Sequence, residues 1–155
     1  IDASKLVNGA NFNIAGSFDY DSQDCIPKDE FYKWINNSNV KFLGEVKNMY
    51  KLINKHNIVV LPSFLGEGLP KILIEAAACG KAIITTDLPG CKVAIKNNKT
   101  GILVPPKNTR ALSDAIQKLV DNPKLCKKMG AMGRRLAEKK YDINKIVDKH
   151  LYLYK

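Results

Sequence analysis

Short apolar runs alternate along this chain with stretches whose apolar residues recur every three or four positions. The runs at 11–16, 40–43, 57–61, 82–86 and 101–104 read as strands. The periodic stretches at 2–7, 27–37, 48–56, 69–79, 109–121, 123–140 and 142–154 read as helices. Ile58-Val59-Val60-Leu61 and Ala82-Ile83-Ile84 are apolar without alternation, which predicts strands buried on both faces. Within 109–121, Leu112, Ala115, Ile116, Leu119 and Val120 share one face, and Asn122-Pro123 is a cap followed by a first-turn proline. Strands alternating with helices across short connections predict an α/β fold with a parallel sheet flanked by helices. The last helix carries Ile143, Ile146, Val147, His150, Leu151 and Tyr154 as one stripe, with His150 expected as a packed residue of that stripe.

The stretch Ser63 to Gly80 holds the most chemistry. A strand runs into a loop in which glycines bracket Glu67, so a ligand can approach the backbone closely. The loop opens a helix with Pro70 expected in its first turn, where a missing N–H costs nothing. Ile72, Leu73, Ile74 and Ala76 to Ala78 predict that this helix is buried, yet Glu75 sits in its middle. A carboxylate so placed needs hydrogen-bond donors. Free N–H groups and the positive end of the dipole make the helix start an anion site. A phosphate cradle with two carboxylates facing hydroxyl groups describes a site for a nucleotide sugar.

Composition narrows the partners. At 155 residues, 45% hydrophobic and 26% charged, the chain has the make-up of one soluble globular domain. No apolar run approaches the ~18 residues of a membrane span. The opening Ile1 to Val7 reads like the back half of a helix rather than a leader, so a cytoplasmic location is expected. A net charge of +10 favours anionic partners. Seven of the basic residues crowd into 124–140 and read as a solvated helix face, with peripheral contact to the inner face of an anionic membrane as the alternative. No nucleic acid is expected, since no aromatic residue interleaves with that cluster. Cys25, Cys79, Cys91 and Cys126 form no C-x-x-C pair and His56 and His150 are isolated, so the cysteines read as reduced thiols, and no metal is expected. Cys79 is expected as a small core residue.

Five motifs in order resemble a known family. Glu67 and Glu75 resemble the E-x7-E signature of retaining glycosyltransferases of the GT-B fold, the group 1 or family 4 class. Val40-Lys41-Phe42-Leu43-Gly44 is similar to its "v-x-F-x-G" strand, and Leu61-Pro62-Ser63 to its "xPS" strand end. Thr86-Asp87-Leu88-Pro89-Gly90-Cys91 resembles its "TDxPGC" turn, and Gly101 to Pro106 its "GxLVPP" segment. The resemblance spans roughly residues 11 to 140. It implies a Rossmann-like sheet, the C-terminal, donor-binding half of such an enzyme. It further implies that 1–155 is one nucleotide-sugar-binding domain of a two-domain protein. The family's N-terminal acceptor-binding domain, and a central strand bearing a basic pair for the diphosphate, would precede Ile1.

The same resemblance assigns roles. Glu67 is the donor-sugar carboxylate and the catalytic candidate, expected to orient the sugar rather than attack it. Glu75 accepts hydrogen bonds from the ribose; the other reading of Glu75 is an ion pair with Lys71 one turn earlier. The backbone of Gly68, Leu69 and Pro70 meets the diphosphate, with the N–H groups of Gly68, Leu69 and Lys71 donating; Gly66 belongs to the same donor-binding set, Val46 contacts the base, and Gly16 lines the same crevice. The implied donor is a UDP-sugar, with no cofactor, and the full enzyme would pass a hexosyl unit to a glycan or lipid-linked acceptor. Val93 stands where the family often has Glu, so any contact of that acid is absent. Asp19-Tyr20-Asp21 mimics a metal-binding D-x-D, but reads as a polar turn. A non-hydrolysing nucleotide-sugar epimerase and a non-catalytic nucleotide-sugar-binding subunit remain the alternatives. An apolar stripe on the last helix, and a sheet lacking its central strand, lead to an expectation of self-association.

Overall fold

The structure is a computed structural model that describes residues 1–19, 25–66 and 68–154. In chain order the elements are α1 (Asp2–Lys5), β1 (Phe12–Ile14), α2 (Lys28–Asn36), β2 (Val40–Phe42), α3 (Met49–Asn54), β3 (Ile58–Leu61) and α4 (Lys71–Ala78). There follow β4 (Ala82–Thr86), α5 (Pro89–Ala94), β5 (Gly101–Val104), α6 (Thr109–Val120), α7 (Pro123–Lys140) and α8 (Ile143–Leu153).

All the pairings are parallel. β1 pairs with β2 in one sheet, Phe12 opposite Val40, and β3, β4 and β5 form a second sheet with β4 in the middle. The alternation of side chains sends each strand of the second sheet to two cores. Ala82 and Ile84 of β4, Ile102 and Val104 of β5, and Ile58 and Val60 of β3 pack with Val7, Ile116, Leu119 and Met129. Ile83, Leu103, Val59 and Leu61 face the other way, onto Leu73, Ala76, Ala77, Cys91 and Ala94. Every residue of β4 is buried, whereas every residue of β3 is only half-buried. Though less deeply buried than β4, β3 thus meets a core on each face, as its apolar run led us to expect. Its apolar run forms an edge of this sheet, with a strand on the β4 side alone.

β1 stands beside β3 without a ladder between them among the described residues. Phe12 packs on the same core as Ile58. Asn13 Nδ2 lies 2.7 Å from His56 Nε2, while His56 Nδ1 lies 2.8 Å from the Leu52 carbonyl. A carbonyl only accepts, so Nδ1 donates there and Nε2 accepts from Asn13.

Three expectations are corrected. Residues 89–94 form a short helix with Pro89 in its first turn, where the TDxPGC motif reads as a turn. Cys79 is half-buried rather than a core residue. The stripe on α8 is not packed: Ile143, Val147, Leu151 and Tyr154 are exposed, and so is His150, whose Nδ1 merely meets the Ile146 carbonyl of its own helix. Among the described residues no helix is long and apolar enough to cross a membrane. The basic residues of 124–140 are all exposed, as a solvated face requires.

Candidate functional site

The site is built at the start of α4. Helices α3, α6, α7 and α8 each have an N-cap side chain, Asn48, Asn108, Asn122 or Asp142, that accepts from a first-turn amide. Helix α4 does not. Its N-cap is Pro70, extended at φ −66° and ψ 122°, and no side chain among the described residues caps it. The proline thus stands one residue before the helix instead of in its first turn, and the helix begins at Lys71. First-turn amides that no side chain satisfies, at the positive end of a dipole, suit an anionic ligand. Gly66 and Gly68 lie in the approach, and a Cβ on either would meet open space. Pro70 is buried, while Leu69 and Lys71 are exposed.

Glu75 follows one turn in. Leu73, Ala76 and Ala77 are buried, but Lys71 and Glu75, four residues apart, share the strip of α4 that opens to solvent. Lys71 Nζ lies 3.6 Å from Glu75 Oε1, with side-chain exposures of 88% and 36%. The helix is therefore not buried all round, and Glu75 avoids the desolvation that a buried position would impose. A long pair this open contributes little to stability. It leaves the carboxylate available to a ligand on that strip.

Gly16 and Val46 lie at the ends of the other sheet. Gly16 N–H donates to the Gly44 carbonyl at 2.9 Å, which holds the segment after β1 against the turn after β2. Gly44 makes that turn at φ 67°, a conformation glycine adopts without strain. Val46 is half-buried just beyond it. Glu67 lies outside the described residues, and so do Tyr20 and Asp21 of the D-x-D. Among the described residues no group of His, Cys, Asp or Glu could hold a metal ion.

Two contacts beside the site were not expected from the sequence motifs. Asp87, at the carboxyl end of β4, pairs with Lys92 of α5 at 2.8 Å. The ammonium of Lys107, in the loop after β5, stands 5.1 Å over the Phe64 ring. At Cys79, at the far end of α4, burial pushes the thiol pKa up, against the opposing pull of Lys81 and Arg134.

Residues 3–136 match the model of the glycosyl transferases, group 1. The chain belongs to that family. One relative is the N,N'-diacetylbacillosaminyl-diphospho-undecaprenol alpha-1,3-N-acetylgalactosaminyltransferase of Campylobacter jejuni, 34% identical over 98% of this chain and 39% of its own length. Among solved structures, Anabaena HepE, in complex with UDP, superposes with a TM-score of 0.91 at 19% identity, over 99% of this chain and 43% of its own. TarM of S. aureus, in a complex that includes UDP, gives 0.84 at 27% identity, over 99% and 31%. The chain thus spans about two fifths of the C. jejuni relative. The parallel α/β architecture is that of the GT-B glycosyltransferases, as the motifs of the group 1 family led us to expect.

Proposed function

We propose that this chain is the donor-binding domain of a retaining glycosyltransferase, holding a nucleoside diphosphate sugar in which the nucleotide is UDP. The observation that carries the reading is the start of α4, where first-turn amides that no described side chain caps follow a glycine-rich approach and Glu75 lies one turn away on the open strip. The diphosphate would meet the amides around Gly68 to Lys71, and Glu75 would accept from the ribose hydroxyls. Negative charge builds on the leaving diphosphate during transfer, and a helix N-terminus fixed in place stabilises it there without reorganising. Glu67 would orient the donor sugar. The family's base contact falls on the backbone at Val46, and Gly16 lines the crevice beside it.

The whole protein would pass a hexosyl unit to a glycan or lipid-linked acceptor. Support comes from the C. jejuni relative, which by its name acts on a diphospho-undecaprenol carrier. UDP as the nucleotide is supported by TarM. An acceptor of that kind would bring the enzyme to the inner face of the membrane, where the exposed lysines and arginines of α7 suit anionic lipid. The break between β1 and β3 among the described residues supports a further strand in the full protein. No resident metal is part of this proposal.

Calorimetric titration with UDP, UDP-glucose, UDP-N-acetylglucosamine, GDP and ADP tests it. The 155-residue chain should prefer the uridine nucleotides, bind them weakly, and transfer no sugar by itself. No binding of any nucleotide would overturn the donor reading. Glycosyl transfer by this chain alone would overturn the two-domain reading.

A further inference from the structure

Two non-glycine residues among those described have a positive φ: Asn98 at 57° and Lys107 at 55°. Asparagine visits this region readily, because its short polar side chain can bond locally. Lysine does not, and a residue held there is strained unless its surroundings fix it. Lys107 follows Pro105-Pro106 in a turn, and Asn108 after it caps α6. A turn with positive φ at its third position ordinarily takes Gly or Asn there. What the lysine adds is reach.

Its ammonium stands over the face of Phe64, 5.1 Å from the ring centroid and within the range of a cation–π contact. Phe64 is 52% exposed, so packing alone does not hold it. The two residues belong to loops that follow β5 and β3, which are not neighbours; β4 lies between them. The contact therefore spans the carboxyl end of β4 and ties the segment that leaves β3 to the opposite side of the sheet. That segment leads to Gly68, Leu69, Pro70 and the start of α4.

We infer that Lys107 is a positioning residue for the donor loop: by holding Phe64 it keeps residues 63–66 where the amides beyond them can meet a diphosphate. This rests on the donor-binding reading above. It assigns Lys107 no contact with substrate, and gives the strained lysine a task that glycine could not perform.

Lys107→Gly separates this from a merely structural role. Glycine relieves the backbone, so thermal stability should stay level or rise. The proposal nevertheless expects hydrogen exchange at residues 63–66 to quicken, and affinity for UDP-glucose to fall about 2- to 5-fold, the range of an exposed cation–π contact. Lys107→Arg should restore both, and Phe64→Leu should reproduce both losses. The double variant should be no weaker than either single one, because one contact is removed in each case. In the unaltered chain the ε-methylene protons of Lys107 should show an upfield ring-current shift that Phe64→Leu abolishes. Unchanged exchange at residues 63–66 in Lys107→Gly, or losses that multiply in the double variant, would overturn the inference. If the unaltered chain binds no nucleotide, the donor reading fails by itself, and the exchange and ring-current measurements still decide on the contact.

Discussion

The two sheets of this molecule are built to different standards. In the three-stranded sheet, β4 is buried at every residue, and Leu73 and Ile83 show no exposed surface. Helices cover both of its faces, and the side chains of each strand divide between two cores. In the β1–β2 sheet the covering helix α2 has no buried residue at all. Among the described residues its ring contacts form a cluster of four, Phe18, Phe31, Tyr32 and Phe42, with centroids 4.9 to 6.4 Å apart in mutually tilted arrangements. Tilted aromatic pairs at such distances attract one another beyond their buried area, which lets a thin layer cohere. The difference bears on the site. The proposed phosphate-binding helix start belongs to the well-covered half, and the proposed base contact, Val46, with the crevice-lining Gly16, to the thin one. Binding strength for the diphosphate should therefore be insensitive to changes that loosen the β1–β2 half, while discrimination among bases should not.

The largest expected effect is at the contact of α4 with α7. A Cβ on Gly130 would lie 2.0 Å from the Gly80 carbonyl oxygen, backbone against backbone, where no rotamer change can relieve it. Gly130→Ala should cost about 3 kcal/mol or more, at or beyond the upper end for overpacking. Leu73→Ala should cost about 2–5 kcal/mol, since the cavity lies among fixed helices. Phe31→Ala, in the other half, should cost only about 1–2 kcal/mol, because its site already opens to water and refills with it. Urea titrations of the three variants check this. Equal losses for Leu73→Ala and Phe31→Ala would break the comparison.

Next in size is the division of labour on α4. Glu75→Gln should weaken UDP and UDP-glucose alike, by about 1.5–3 kcal/mol for a charge-assisted hydrogen bond, less where the amide oxygen still accepts. Glu67→Gln should weaken UDP-glucose and leave UDP nearly unchanged. Lys71→Ala removes the partner of Glu75 and should change stability by less than about 0.5 kcal/mol, because the pair is long and open. Titrations that show equal losses for both ligands in both glutamine variants would refute these roles.

How much of this could be read beforehand depended on whether the cause was local. The parallel α/β order was legible because each strand and long helix carries its own period. The pair at Lys71 and Glu75 was legible too, being a four-residue spacing on one helix. The edge position of β3 was not: an apolar run shows that a strand can be buried, and only the arrangement of other strands decides whether it is. The same holds for α8, whose stripe predicts a face but not a partner to cover it. Helix α5 escaped because Pro89-Gly90 has the composition of a turn, although proline also opens helices. The positive φ of Lys107 leaves no trace in composition, since lysine is not a residue that a turn of this kind selects.

A smaller effect is expected at α8, which Lys145 Nζ ties to the Glu138 carbonyl of α7 at 3.0 Å but whose apolar stripe joins neither core. Tyr152, Leu153 and Tyr154 are at least 77% exposed. An apolar surface of this kind invites association. The chain should self-associate weakly at high concentration, and removal of residues 143–155 should abolish it with little loss in thermal stability. Light scattering across a dilution series decides. A monomer at every concentration would mean that the stripe does not associate.

The smallest effect is a titration confined to the well-covered half. Burial raises the thiol pKa of both Cys79 and Cys126, with Lys81 pulling each back. A thiol held protonated by the folded state stabilises that state fully below its unfolded pKa, and the contribution is lost as pH rises through the higher folded value. Stability should therefore decline with rising pH only above about 8.5, the ordinary value of a free thiol. The same burial slows alkylation, because the thiolate is the nucleophile. Iodoacetamide at pH 8 should modify Cys25, in the thin half and half-buried as Cys79 is, ahead of both. Cys91, fully buried and beside the Thr86 hydroxyl, should be modified only after unfolding. Mass spectrometry over the time course reads the order. Alkylation of Cys79 or Cys126 at the rate of Cys25 would show that the two halves open to solvent equally often, and the contrast between them would then be one of static packing alone.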